Sequence, residues 1–204
     1  QVNLPRECIP TQFLDEAVVW DALLEKMPLT AMIRNLATMT RVGLLAPMSS
    51  GTARVIEVLG NMDLLKKARI HPIAVLSALL TYQSGKGVRG QHTWTPVTQI
   101  VDALDRSFYL SFGNVEKTGN RWYLGCDVSG SMWGTSVAGV PGLNAGIGAA
   151  AMALVTAAVE PLHHLAAFDT VMHPFTVSPR QRLDDVARML RALPWGGANC
   201  AVPM

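Results

Sequence analysis

The most constraining stretch of this 204-residue chain is Tyr123-Leu124-Gly125-Cys126-Asp127-Val128-Ser129-Gly130-Ser131-Met132. A short apolar run stops abruptly in Asp-x-Ser-x-Ser, which sets oxygen-bearing side chains at i, i+2 and i+4. In a loop just past the carboxyl end of a parallel strand, that spacing can aim Asp127, Ser129 and Ser131 at one point. Crevices at strand ends are where open α/β sheets bind ligands. Carboxylate and hydroxyl oxygens suit a small hard cation that keeps part of its water, Mg2+ or Mn2+ before Zn2+. The same letters also describe a strand running into a Ser/Gly turn with no ion, and the pattern by itself leaves both readings open.

Around this stretch, residues 113–204 alternate as an α/β unit does. Residues 113–120 form a polar linker, and 121–126 read as a buried central strand. A Gly-rich connection over 133–142 leads to a helix over 143–160, crowded with Ala and Gly for close approach to a sheet. Two short strands, 164–168 and 171–175, and an amphipathic helix over 182–193 follow. His163 and His164 are adjacent on a strand, so they face opposite sides and make no metal pair. Ser129 and Ser131 lack a G-x-S-x-G elbow, and no His has a placed acidic partner, which gives nucleophilic catalysis little support.

Residues 1–112 carry no strand signal. Pro10, Pro28, Pro47, Pro72 and Pro96 each precede or open an apolar-periodic run. Thr11 reads as the N-cap of a helix bearing Leu14, Ala17, Val18, Leu24 and Met27. A second helix carries Leu29, Met32, Ile33, Leu36 and Met39 at three- and four-residue steps, and Gly43 ends it. Further helices fit 51–59, 63–68, 72–83 and 96–112. Similar helices at repeating intervals with short breaks predict stacked helical hairpins of the HEAT type. Half of all residues (50%) are hydrophobic and only 16% charged, which suits a well-buried core and excludes a disordered chain. Cys8, Cys126 and Cys200 lack zinc spacing and read as reduced thiols inside a cell.

A net charge of +2 identifies no partner, but its distribution does. From Leu64 to Val101 there is no Asp or Glu, while Lys66, Lys67, Arg69, Lys86 and Arg89 occur with His71 and His92. Such a local excess is the footprint of a phosphate-binding face; its alternative is a solvated surface with acidic partners on neighbouring helices. Residues 85–90 form a glycine loop with two cations. They lack the strand, helix and Lys-Ser/Thr ending of a nucleotide loop, so phosphate-backbone contact fits better than ATP. Trp94 beside a helix start reads as packing before base stacking.

Several words of the sequence resemble known families. Asp127-Val-Ser-Gly-Ser-Met132 resembles the metal-ion-dependent adhesion site that opens a von Willebrand factor type A domain. The chain ahead of it resembles the last helical repeats of the TROVE module of the Ro autoantigen family. Those words are Met27-Pro-Leu-Thr-Ala-Met-Ile-Arg-Asn-Leu36, Lys66-Lys-Ala-Arg-Ile-His-Pro72, Gly85-Lys-Gly-Val-Arg-Gly90, Ala103-Leu-Asp105 with Phe108-Tyr109, and Gly196-Gly197 with Cys200 and Pro203-Met204. The resemblance implies an α plus α/β chain: HEAT-like repeats over 1–112, then a Rossmann-like type A domain, N-terminal part only, over 113–204. In that family a ring of helices holds RNA and the type A domain closes the ring.

The expectation is therefore a cytoplasmic, non-catalytic RNA-binding component of a ribonucleoprotein. Small non-coding or misfolded RNA would be held by Lys66, Lys67, Arg69, His71, Lys86 and Arg89. No membrane partner is expected, and the rest of a longer polypeptide, or another chain, would complete the type A domain. The alternative is an adhesion-type module whose divalent cation takes a partner's acidic side chain. Metal-dependent phosphoryl transfer would need a second acidic pair that the sequence does not show. The resemblance implies Asp127, Ser129 and Ser131 as metal ligands and a threonine where this chain has Ala198. A further acidic loop of that site would lie beyond Met204. Mg2+ or another divalent cation is thus expected to bind weakly or not at all.

Overall fold

Side-chain caps set the boundaries of several helices in the first half. The computed structural model describes residues 6–87, 92–194 and 196–204, in two compact units, Gln1–Asn114 and Val115–Met204. In the first unit, α2 spans Leu29–Arg41 and closes at Gly43, whose φ of 84° only glycine adopts readily. Helix α3, Ser50–Leu59, is capped by the Ser49 hydroxyl, which accepts from Thr52 N–H. Helix α4, Met62–Lys67, is capped by Asn61 Oδ1, which accepts from Asp63 and Leu64 N–H. Helix α5, Pro72–Ser84, has Pro at its first position and His71 as its cap, with Nδ1 accepting from Ile73 N–H at 3.2 Å. Gly85 ends it in the left-handed region, with Trp94 O only 2.8 Å from where a Cβ would stand. Helix α6 covers Thr98–Leu110.

The start of the chain differs from its sequence reading. Residues Thr11–Phe13 form a 3-10 turn without a side-chain cap, and α1 begins later, over Ala17–Leu24. Thr11 caps no α-helix, because the turn it opens stops before the apolar face of α1 starts. That face seats Trp20 in the core, its Nε1 donating to Leu14 O at 2.7 Å.

The helices pack in neighbouring pairs: α5 on α6, α3 on α6, α2 on α5. The buried seam includes Met32, Leu36, Met39, Val55, Leu59, Leu76, Ile100, Leu104 and Phe108. Two polar links tie it together. Ser107 Oγ donates within 2.6 Å of Leu59 O, joining α6 to α3. Tyr82 OH lies 2.8 Å from Thr40 Oγ1 and accepts from Val97 N–H, joining α5 to α2 and to the start of α6.

The second unit is built on three strands, β1 (Trp122–Asp127), β2 (His163–Phe168) and β3 (Met172–Pro174), in that order across the sheet. Strands β1 and β2 are parallel, with Asp127 opposite Phe168, whereas β3 returns antiparallel. A four-residue turn of helix, α7 (Ser131–Gly134), leads to α8 (Ala145–Val159), capped by Asn144. Helix α8 lies on β1 and β2, and α9 (Leu183–Ala192) packs on α8 through Leu183, Val186 and Leu190. Gly146 lets Trp133 of α7 lie against α8, since a Cβ there would meet the indole at 2.8 Å. Strand β1 departs from the expected buried central strand. Among the described residues β2 is its one neighbour, so Trp122 and Tyr123 stay 42% and 49% exposed. Among the described residues no helix is long and apolar enough to cross a membrane.

Candidate nucleic-acid interface

Four of the predicted RNA-contacting residues gather at one turn. Lys66 and Lys67 close α4, where cations complement the helix dipole. Arg69 follows in the left-handed region (φ 49°), at a place where glycine usually ends a helix. His71 caps α5 with Nδ1 as the acceptor, which leaves Nε2 as the nitrogen that carries the proton. Lys66, Lys67, Arg69 and His71 are all exposed. Lys86 stands at the other end of α5, in a bridge with Thr93. At about 1.5 Å per residue the helix separates the two groups by about 20 Å. Among the described residues the predicted face is therefore a cationic cluster at the Lys66–His71 turn and Lys86 at the far end of α5. Arg89 lies outside the described residues.

The alternative to a phosphate-binding face was a set of surface ion pairs. Lys66, Lys67, Arg69 and Lys86 form no ion pair with any described residue. Ion pairs among the described residues of the first unit include Arg41 with Asp15 and Arg54 with Asp21. Arg34 of α2 is likewise exposed and outside those pairs. It precedes the acid-free span, and sequence reasoning overlooked it for that reason.

At the strand ends of the second unit, Asp127 is the last residue of β1, and its Oδ1 accepts from Ser129 N–H at 2.7 Å. The hydroxyls of Ser129 and Ser131 lie 3.2 Å apart. The two hydroxyls thus meet each other, while the Asp127 carboxylate is turned to the loop backbone. Residues 196–199 come to the same strand ends, because Asn199 N–H donates to Asp169 O just after β2. The donor set there does not fit a tightly held divalent ion. One oxygen of the single carboxylate is engaged, the two hydroxyls are neutral and bonded to each other, and Ala198 offers no side-chain oxygen. Among the described residues no three His, Cys, Asp or Glu side chains cluster.

Two carboxylates that the sequence did not single out brace this unit. Glu160, after α8, is held below its usual range chiefly by Thr118 N–H, which donates to Oε1 at 2.8 Å. Asp169 is lowered chiefly by Val171 N–H, with His173 Nε2 at 3.1 Å adding to it. A carboxylate depressed on folding stabilises above its ordinary range, and that contribution disappears as pH falls through the folded value. The second unit should therefore lose urea resistance as pH falls below the ordinary carboxylate range. Glu160→Gln with Asp169→Asn should flatten that dependence in circular dichroism; an equal loss in the double variant would assign it to other groups. His163 and His164 are structural: His163 Nδ1 lies 2.6 Å from Glu160 O, and His164 stacks on Tyr123. Cys8, Cys126 and Cys200 are free thiols, and burial pushes Cys126 up to about 11.

Comparison with known proteins agrees with both halves. The TROVE domain matches residues 3–80, and the Ro60 vWA domain matches residues 121–204. The chain belongs to the Ro family of TROVE-domain proteins. It is similar to the RNA-binding protein RO60 of Deinococcus radiodurans, 42% identical over 205 residues, covering 100% of this chain and 38% of that protein. The protein of the same name from Caenorhabditis elegans is 36% identical over 203 residues, covering 99% of this chain and 31% of that protein. The crystal structure of the Deinococcus radiodurans RO (RSR) protein superimposes with a TM-score of 0.90 at 42% identity, over 98% of this chain and 40% of that one. The chain thus spans under half the length of these Ro-family relatives.

Proposed function

We propose that this Ro-family chain is the part of a ribonucleoprotein component that holds small non-coding or misfolded RNA. It does so through phosphate contacts, without catalysis. The observation that carries this is the set of exposed cations at both ends of α5, each outside any ion pair with a described residue. The relatives' name, RNA-binding protein, supports the same reading. The free thiols suit a reducing cytoplasm. The test is binding of a small structured RNA across a salt series, with and without chelator. Affinity should fall steeply with salt, because released counterions drive the association, and should ignore EDTA. Binding that is flat in salt would remove the proposal. So would capture of an acidic protein partner, abolished by EDTA, in place of RNA.

The metal reading is tested separately. The unmodified chain should bind Mg2+ or Mn2+ at millimolar strength at best. Ala198→Thr should tighten binding modestly, and Asp127→Ala should abolish it while the helical unit stays folded. Calorimetry on the three proteins decides, and micromolar binding by the unmodified chain would contradict the donor-set argument.

Among the described residues no strand pairs with the side of β1 away from β2, and that edge, with Trp122 and Tyr123 exposed beside it, is a template for another strand. We infer that this edge takes a strand from further polypeptide. Alone, residues 1–204 should self-associate in sedimentation; a monodisperse monomer would count against a vacant edge.

A further inference from the structure

Between the Lys66–His71 turn and Lys86 lies a cavity of about 290 Å³, lined by residues of α2 and α5 with Ile70 and Trp94. We infer that this cavity receives one unpaired nucleobase of the bound RNA, an inference that rests on the function proposed above. Three observations carry it.

The first is the wall. Trp94 Nε1 donates to Tyr82 O at 2.9 Å, and the indole lies 26° from parallel to the Tyr82 ring. The indole is held by that bond and its backbone by Trp94 N–H donating to Gly85 O at 3.1 Å, so its orientation is set before any ligand arrives. An aromatic wall of fixed orientation is what single-stranded nucleic acid uses for sequence-tolerant stacking.

The second is the rim. Arg34, Ser77 and Thr81 line the cavity with donors and hydroxyls. Ser77 Oγ donates to Ile73 O at 2.8 Å and keeps its lone pairs for a base N–H. Arg34 makes no ion pair with a described residue and can meet either a base carbonyl or a phosphate.

The third is the charge on either side. Ile70, which lines the cavity, sits between Arg69 and His71, and Trp94 follows the Thr93 that bridges to Lys86. A strand running from the Lys66–His71 turn to Lys86 follows α5, which supplies Ala74, Ser77, Ala78, Thr81 and Tyr82 to the cavity lining. The volume lies at the lower bound of about 300 Å³ for small-molecule sites, so it takes one flat ring system and no duplex or folded peptide.

The test compares a uridine decamer with an abasic oligomer of the same backbone length on the 204-residue chain. The decamer should bind about tenfold more tightly, the measured scale of one stacked base. Ala74→Phe, at an exposed position of the cavity wall, should cancel that preference while leaving the salt slope unchanged. A second reading, taken on the unsubstituted protein labelled with 5-fluorotryptophan, is the 19F resonance of Trp94, assigned by its loss in Trp94→Phe. It should shift with the decamer and stay in place with the abasic oligomer. Equal, salt-sensitive binding of both oligomers by the unmodified chain would overturn the base pocket and leave RNA binding standing. Binding of neither would overturn both. A preference that survives Ala74→Phe in a folded variant would also overturn the pocket.

Discussion

Replacing Lys66, Lys67, Arg69, Lys86 and Arg89 together with glutamine should weaken RNA binding by about a hundredfold to a thousandfold at low salt. The size follows from exposed charge contacts worth roughly 0.5–1 kcal/mol each, with about 1.4 kcal/mol per tenfold change. The change should appear in the salt dependence as well. Each phosphate engaged on a single strand contributes about 0.7 to the slope of log affinity against log salt. The variant's slope should be flatter by that amount for every phosphate it no longer neutralises. Neutralising one end of α5 alone should give a partial loss, because Lys86 sits about 20 Å from the Lys66–His71 turn and engages a different phosphate. An unchanged affinity and slope would make these cations a solvated surface. A lower affinity at unchanged slope would mean that they act through folding, and circular dichroism of the variant would show it.

Phe108→Ala should destabilise the helical unit by about 3–5 kcal/mol, the usual cost of emptying a large aromatic site in a core. Phe108 is 1% exposed, and its ring meets those of Tyr109 and Phe112 edge-on, each at 5.0 Å. It follows Ser107, whose hydroxyl ties α6 to α3, so the cavity would open beside a link between two helices. The consequence for function is direct. The turn bearing Lys66, Lys67 and Arg69 is held by Asn114 Nδ2, which donates to Leu65 O and Ile70 O from the end of the segment that carries Phe112. Loosening α6 should therefore lower RNA affinity through the geometry of that turn. Urea unfolding of the variant measures the first effect and a binding isotherm the second. A loss below about 1 kcal/mol would mean that the site collapses readily around the missing ring.

Much of the helical half was legible because its signals are local. Pro28, Pro72, Gly43 and the apolar steps of α2 act within a few residues, and the helices fall close to the places those residues set. The strand-loop at 122–131 was legible for the same reason: an apolar run ending in Asp127 can be read without knowing its neighbours. What failed depended on partners distant in sequence. Thr11 has the chemistry of a cap, but the apolar face that would continue its helix begins at Ala17. Tyr123 and Leu124 look like central-strand residues, and only the sheet order shows that β1 has one neighbour among the described residues. Arg34 lies well before the acid-free span that drew attention, and packing of α2 on α5 brings it to the same cavity. Glu160 and Asp169 read as ordinary surface acids until the backbone N–H groups of Thr118 and Val171 are placed beside them. The cationic span looks continuous in sequence, whereas α5 divides it.

The central claim is that RNA lies along the helical unit, from the turn at Lys66–His71 to Lys86. Photo-crosslinking of a small structured RNA to the protein, mapped residue by residue by mass spectrometry, addresses it most directly. Crosslinks should concentrate at residues 66–71, at 86–94 and on the Arg34 face of α2. Crosslinks confined to the second unit, around Asp127, Ser129 and Ser131, with none along α5, would contradict the claim.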